Sequence, residues 1–429
     1  MDRRKFLGMV GVGVSQKFAL PKFASALHQV SPSLGNGPVN KSGKAYGSGH
    51  FGEWITDQFG LPAYKYTCNQ ITDPKAIAPV HKEWRSPADH THQVGNDRLV
   101  AAVSNYGYVQ IRQDEGSPKF LNDHCPELGR YGAGVGFLTD GKAVLTTYYP
   151  GNGDSFDRIL GEGYFKKTVK GHQYEVEQTI LAPFGDDPVV VSMVKITNHA
   201  TNPADLRWVE YWGSQNIQFS FRSGMEAQVL GDPSKGAELR RAFSERFSHK
   251  FEKLPNGLTE TQTFLGRTPQ DEAMWQKLEV AMMDPLGPFG GHIHQSSPQA
   301  SMEDLTPPLT FLVSLDAPAD GYATDSASFF GTGGIEHPAG LSTKLSNDLT
   351  STGPASALLL ERHLHLKPNE TRTIFFLYGY VPEGFKAEAL IKKYSADPAG
   401  ILVRSSAQWK KEGLHFSVPS EPWVDREIS

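Results

Sequence analysis

Between residues 89 and 123 the chain reads DHTHQVGNDRLVAAVSNYGYVQIRQDEGSPKFLND. His90, His92, Asn96, Asp97, Arg98, Asn105, Tyr106, Tyr108, Arg112, Asp114, Asn122 and Asp123 crowd around one short apolar strand, Leu99–Val103. Hydroxyl-rich ligands need dense donors and acceptors beside flat aromatic faces, which a purely structural hairpin does not. The segment therefore points to carbohydrate, though not by itself to catalysis. The same stretch offers a second chemistry, proton transfer, with His90 or His92 as acid and Asp97 or Glu115 as base. Nothing marks a pair of carboxylates for glycoside cleavage, so no catalytic residue is assigned to that reaction.

Three His-x-His pairs, His90/His92, His292/His294 and His363/His365, each share one face if they lie on strands. A metal site needs a third or fourth ligand and a supporting shell, which the sequence does not mark, so no metal is expected. His363 and His365 share their face with Glu361 and alternate with leucines, the pattern of a solvated strand face. Gly132–Gly136 and Gly331–Gly334 lack the strand, loop and helix context of a phosphate loop, and no cofactor is expected. Cys68 and Cys125 could pair in an oxidising compartment or stay as two buried thiols.

The elements that would position these groups are mostly strands. Glu175–Leu181, Val189–Thr197, Leu206–Trp212, Leu309–Leu315, Ala357–Leu366 and Thr371–Tyr380 are β-branched or alternating, and turn residues separate them. With 43 Gly, 29 Pro and 24 Phe, this predicts a mainly β fold, a sandwich rather than a parallel sheet. Leu239, Phe243, Phe247, Phe251 and Leu254 recur at helical spacing and predict a helical excursion over 234–254. Phe385–Tyr394 and Ala399–Glu412 predict two C-terminal helices, followed by an extended stretch at Leu414–Val418. The net charge of −5, without long single-sign runs, speaks against a nucleic-acid partner.

Arg3-Arg4-Lys5-Phe6-Leu7-Gly8, a short apolar segment Phe6–Ser15 and the small-residue site Ala24-Ser25-Ala26 together resemble a twin-arginine signal peptide. The expected organisation is a signal at 1–26, a flexible spacer at 27–50, a sandwich at 51–382 and helices at 383–429. Cleavage would leave 37 basic and 46 acidic residues, a net charge of −9. The expected location is periplasmic or secreted, with no membrane association once the signal is removed.

The succession FGLPAYKYT (Phe59–Thr67), GNDRLVAAVSNYGYVQIRQDEG (Gly95–Gly116), GVGFLTDG (Gly134–Gly141), DDPVVVSMVKITNHATNPADLRWVEYW (Asp186–Trp212) and LLLERHLHLKPNETRTIFFLYGY (Leu358–Tyr380) resembles the N-terminal part of glycoside hydrolase family 94. That family, formerly glycosyltransferase family 36, comprises inverting cellobiose- and chitobiose-type phosphorylases. The resemblance implies a β-supersandwich of galactose-mutarotase-like type, followed by linker helices and a catalytic (α/α)6 barrel. Pro422–Glu427 resembles the start of that barrel, yet the sequence stops at Ser429. The implied function is a non-catalytic module that binds an oligo- or polysaccharide, with Asn96, Arg98, Tyr106, Arg112 and Asp114 lining its sugar subsite, or docks a separate or missing barrel. A homodimer is compatible with this. The alternative is a free-standing, mutarotase-like aldose epimerase built on the His/carboxylate pair named above.

Overall fold

The alternating runs pair as antiparallel strands throughout the computed structural model, which describes residues 52–66, 90–113, 119–149, 155–215, 217–218, 245–266, 306–351 and 353–413, with 268, 269 and 273 besides. All of these lie in one unit, Gly47–Ser429. The expected signal, the spacer, Cys68, Asp114, Glu115, His292, His294, residues 234–244 and everything after 413 lie outside the described residues.

Two ten-stranded sheets carry the fold. The first begins at one edge with β1 (Gly52–Thr56), β2 (Pro62–Tyr66), β11 (Ser155–Gly161), β12 (Tyr164–Lys170) and β13 (Tyr174–Leu181). It continues through β14 (Val189–Asn198), β22 (Thr371–Val381), β19 (Leu309–Ser314), β18 (Gly257–Phe264) and the opposite edge, β17 (Phe247–Leu254). The second sheet runs β16 (Ile217–Gln218), β6 (Lys119–Phe120), β5 (Val109–Gln113), β9 (Ala133–Thr139), β15 (Ala204–Gly213), β21 (Ser356–Leu366) and β20 (Gly321–Asp325). β3 (Thr91–Gly95) and β4 (Leu99–Ser104) extend it from β5, and β10 (Val144–Thr146) pairs with β9. A separate small hairpin joins β7 (His124–Cys125) to β8 (Arg130–Tyr131). The molecule is thus a mainly β double-sheet sandwich, as expected from the spacing of its strands.

Strand periodicity sorts the core into three layers. Leu206, Trp208 and Trp212 of β15 meet Ile374, Phe376 and Tyr378 of β22 between the sheets. Val209 and Tyr211, the intervening residues, face outward and are covered by α1 (Ser326–Phe330) and the 3-10 turns after it. On the other outer face Phe375 and Leu377 are covered by α2 (Ala387–Ser395) and α3 (Ile401–Glu412). Runs such as Leu358-Leu359-Leu360 therefore read as continuously apolar because both faces are buried. The two C-terminal helices form within two residues of their expected bounds, and α2 buries Ala387, Leu390 and Tyr394 against the sheet.

The expected helical excursion is corrected where it is described. Phe247–Leu254 is a strand, paired with Gly257–Phe264 across a two-residue Pro255-Asn256 turn. Phe247 and Phe251 lie four apart, a spacing that puts two residues on one face of either a helix or a strand. The hairpin decides in favour of the strand, with Phe247 and Phe251 inward and Ser248, Lys250 and Glu252 outward.

A polar network crosses the interior between the sheets. The Lys167 ammonium, fully buried, donates to the carbonyls of Gly107 (2.8 Å) and Gly134 (2.6 Å) and lies 3.3 Å from Thr147 Oγ1. Thr147 Oγ1 donates to Gln178 Oε1 at 2.7 Å, and Gln178 Nε2 reaches the Glu210 carboxylate at 3.1 and 3.2 Å. The indole N–H groups of Trp208 (2.9 Å) and Trp212 (3.1 Å) complete the shell of Glu210. Gly107 must be glycine: its φ is 96°, and a Cβ would lie 2.2 Å from the Thr147 carbonyl.

Candidate functional site

The polar segment resolves into three local clusters, two of which are committed to the fold. At the β3–β4 turn Asn96 is 7% exposed and uses its whole amide. Its Nδ2 donates to the carbonyls of Pro183 (3.0 Å) and Asp187 (2.9 Å), while Oδ1 accepts from the N–H groups of Arg98 (2.9 Å) and Leu99 (3.1 Å). Arg98 makes a two-pronged contact with Asp186 (3.0 and 2.6 Å) and stacks 5.1 Å from the Phe385 ring centroid. Both were expected to bind sugar. They instead tie this turn to the β13–β14 turn and to the approach of α2, because a sharp turn must satisfy its own backbone groups.

The second cluster sits where the edges of the two sheets meet. His90 Nδ1 and the Tyr66 hydroxyl are 2.8 Å apart, and Asn105 Nδ2 donates to that hydroxyl at 3.2 Å. Arg158, 1% exposed, donates to the Asn105 carbonyl at 2.7 Å and lies 4.6 Å from the Tyr66 ring centroid. Among the described residues the expected acid/base pair is not assembled here. Asp97 caps the far end of the β3 hairpin, five residues along from His92, a separation of roughly 16 Å in an extended strand. His92 itself is exposed, and Glu115 lies outside the described residues.

The third cluster is aromatic. Tyr106, 9% exposed, stacks on Tyr148 with centroids 6.3 Å apart, and Tyr108 lies face to face with His124 at 3.5 Å. Tyr131 packs edge-on against Phe330 of α1 at 4.7 Å, and burial raises the pKa of its phenol. This panel is outer core beneath α1. Arg112 is half-buried on β5, and Asn122 spends its amide on the backbone of Val109 and Ile111.

The strand histidines also find carboxylates. His363 Nε2 lies 2.5 Å from Glu361 Oε1, and Arg207 donates to the other oxygen at 2.8 Å. Glu361 is fully buried, which corrects the expected solvated face at that residue, while His363 is half-buried and His365 exposed as expected. Burial pushes its pKa up, but the hydrogen bonds from Arg207 and His363 outweigh that and hold it low. Among the described residues no group of three or more His, Cys, Asp or Glu could hold a metal ion. Among them, too, no helix is long and apolar enough to cross a membrane.

Among the described residues, a cleft of about 360 Å3 lies between the β17–β18 turn and the loop leading into β20. Lys253, Pro255, Asp320, Tyr322 and Asn347 line it. The Lys253 ammonium is 5.1 Å from the Tyr322 ring centroid. Asn347, at φ 58°, is locked by reciprocal bonds with the backbone of Tyr322, at 3.1 Å and 3.0 Å. Asp320 accepts from the His363 N–H at 2.7 Å. An aromatic face, an ammonium, a carboxylate and a fixed amide thus surround a volume at the low end for small-ligand sites. A second cleft of about 190 Å3, beside Asp57 and Tyr164, falls below that range. Sequence reasoning missed the first cleft because four of its residues, Lys253, Leu254, Pro255 and Gly257, belong to a hairpin whose first strand falls in the stretch expected to be helical.

The fold is a double-sheet β-supersandwich that carries a solvent-open cleft lined by polar and aromatic side chains. Residues 287–397 match the family model described as Glycosyl hydrolase 94, supersandwich domain, the family that the sequence resembles. No curated protein matches the chain. Solved structures similar to it include a polysaccharide lyase (11% identity, TM-score 0.34, covering 71% of this chain and 34% of that one). Another is a protein assigned as a kojibiose phosphorylase from the human microbiome (11%, TM-score 0.39, 88% and 38%). A third is an aldose epimerase homologue from C. elegans (10%, TM-score 0.32, 68% and 99%). The chain spans about a third of the length of the first two.

Proposed function

We propose that this chain is an exported carbohydrate-binding module that holds an oligo- or polysaccharide of β-glycan type in the cleft at Tyr322. It positions that glycan, or docks a catalytic barrel, without cleaving glycosidic bonds itself. The supporting observation is one of position: Pro318, Ala319, Asp320, Tyr322, Asn347 and Leu360 of the cleft all fall within the segment matched to the glycosyl hydrolase 94 supersandwich. Tyr322→Ala should weaken retention on immobilised β-glucan about tenfold, the equivalent of ~1.4 kcal/mol. Unchanged retention in affinity electrophoresis would remove the cleft from the reading.

Export is proposed from Arg3 and Arg4. Replacing both by lysine should leave the full-length precursor in the cytoplasm, as read by cell fractionation. Normal export of the double variant would contradict a twin-arginine route.

A further inference from the structure

Away from the cleft, the inner ends of β15, β17, β18 and β22 bring together a second set of polar groups. His249 and Glu260 touch at 2.6 Å (Nδ1 to Oε1), with side chains 3% and 0% exposed. Glu260 Oε2 also accepts from Thr310 Oγ1 at 3.4 Å. Gln262, opposite His249 in the hairpin register, donates through Nε2 to the Ser214 carbonyl at 2.6 Å. The Gln215 side-chain amide donates to the Ser356 carbonyl. Tyr378, 1% exposed, stacks on Trp212 at 4.4 Å and feels the charge of Glu260.

Five polar atoms of this one set have no hydrogen-bond partner: His249 Nε2, Gln262 Oε1, Gln215 Oε1, Ser214 Oγ and the Tyr378 hydroxyl. Folded proteins leave few such atoms, and each costs about 1–3 kcal/mol when unpaired. Five in one cluster call for a ligand. The chemistry of the atoms selects its class. His249 turns Nδ1 to the Glu260 carboxylate, which leaves Nε2 as its unpaired ring nitrogen. The two amide oxygens are acceptors only, and the two hydroxyls can either give or take a proton. An anion would need the reverse arrangement, whereas a ring bearing several hydroxyl donors fits.

We infer that the His249, Gln262, Ser214, Gln215 and Tyr378 set is an enclosed binding site for a single polyhydroxylated ring such as a pyranose. This rests on the carbohydrate reading above and deepens it with a second, occluded subsite.

The test uses the full chain, D-glucose as probe and titration calorimetry, with Tyr378→Phe and Ser214→Ala as variants. Both substitutions remove a hydroxyl that has no partner in the protein, so the ligand-free variants should melt at or above the wild-type temperature. Each should bind D-glucose at least tenfold more weakly. Wild-type affinity in both variants would overturn the enclosed site and leave the carbohydrate reading standing. A ligand-free melting temperature several degrees lower in both would also overturn it, because the hydroxyls would then have partners within the fold. Failure of the wild type to bind either D-glucose or β-glucan would overturn both readings.

Discussion

Lys167→Met is expected to cost about 3–5 kcal/mol of stability, because it leaves two buried carbonyls without a donor and, where the ammonium is charged, Glu210 without its countercharge. The loss has two parts. The carbonyls of Gly107 and Gly134 lose a buried donor, and Glu210 keeps its indole and amide donors but no cation. Burial pushes the Lys167 pKa down to about 7, against the pull of Glu210. Burial likewise raises that of Glu210, opposed by hydrogen bonds from Ser192, Trp212 and Trp208 and by the charge of Lys167. The unfolded chain binds the lysine proton up to about 10.5, so between about 7 and 10.5 it holds more protons than the folded chain and stability rises with pH. Glu210 has the opposite sign: its contribution is present below its unfolded pKa and fades as pH rises through the raised folded one. In Lys167→Met the lysine gain is gone, and a lone Glu210 is relieved only by taking up a proton. The gap between wild type and variant should therefore narrow towards pH 5 and widen towards pH 9. Adding Glu210→Gln to Lys167→Met should recover part of the loss, which makes the pair non-additive. Urea unfolding across that pH range checks this; a gap that is small or constant with pH would contradict it.

Gly136→Ala should destabilise by about 3 kcal/mol, the upper end for overpacking a closed core. A Cβ at Gly136 would lie 1.8 Å from Cζ2 and 2.1 Å from Cη2 of Trp208. Trp208 is fully buried, and its Nε1 donates to Glu210, so the indole cannot move aside without giving up that bond. Gly136 also pairs directly with Glu210 across β9 and β15, and its N–H donates to Thr147 Oγ1 at 2.8 Å. One methyl therefore disturbs packing and the central polar network together. Thermal unfolding of the variant measures the effect, and a loss below about 1 kcal/mol would mean that the core yields more readily than close packing allows.

The strands were legible where side chains alone dictate the backbone. Val189–Asn198 and Thr371–Val381 are β-branched or aromatic, and they pair in the centre of the first sheet. Phe247–Leu254 was not legible, because its four-residue spacing fits both periods and only the pairing with Gly257–Phe264 decides. The site followed the same division. Density of polar residues marked the β3–β5 segment, but a sequence does not reveal that all four hydrogen-bonding positions of Asn96 are filled by its own turn and by Pro183 and Asp187. Lys253 and Tyr322 lie far apart in the chain and meet only because β18 pairs β19, and β20 pairs β21 across the cleft. The His249 and Glu260 pair needs the hairpin before it exists at all.

The most direct measurement is a titration of the full chain with cello-oligosaccharides, with release of reducing ends and consumption of inorganic phosphate followed in the same samples. A carbohydrate-binding module predicts saturable binding that weakens in Tyr322→Ala, with neither cleavage nor phosphorolysis. Glycoside turnover by the wild-type chain, or an absence of binding to any of these sugars, would contradict it.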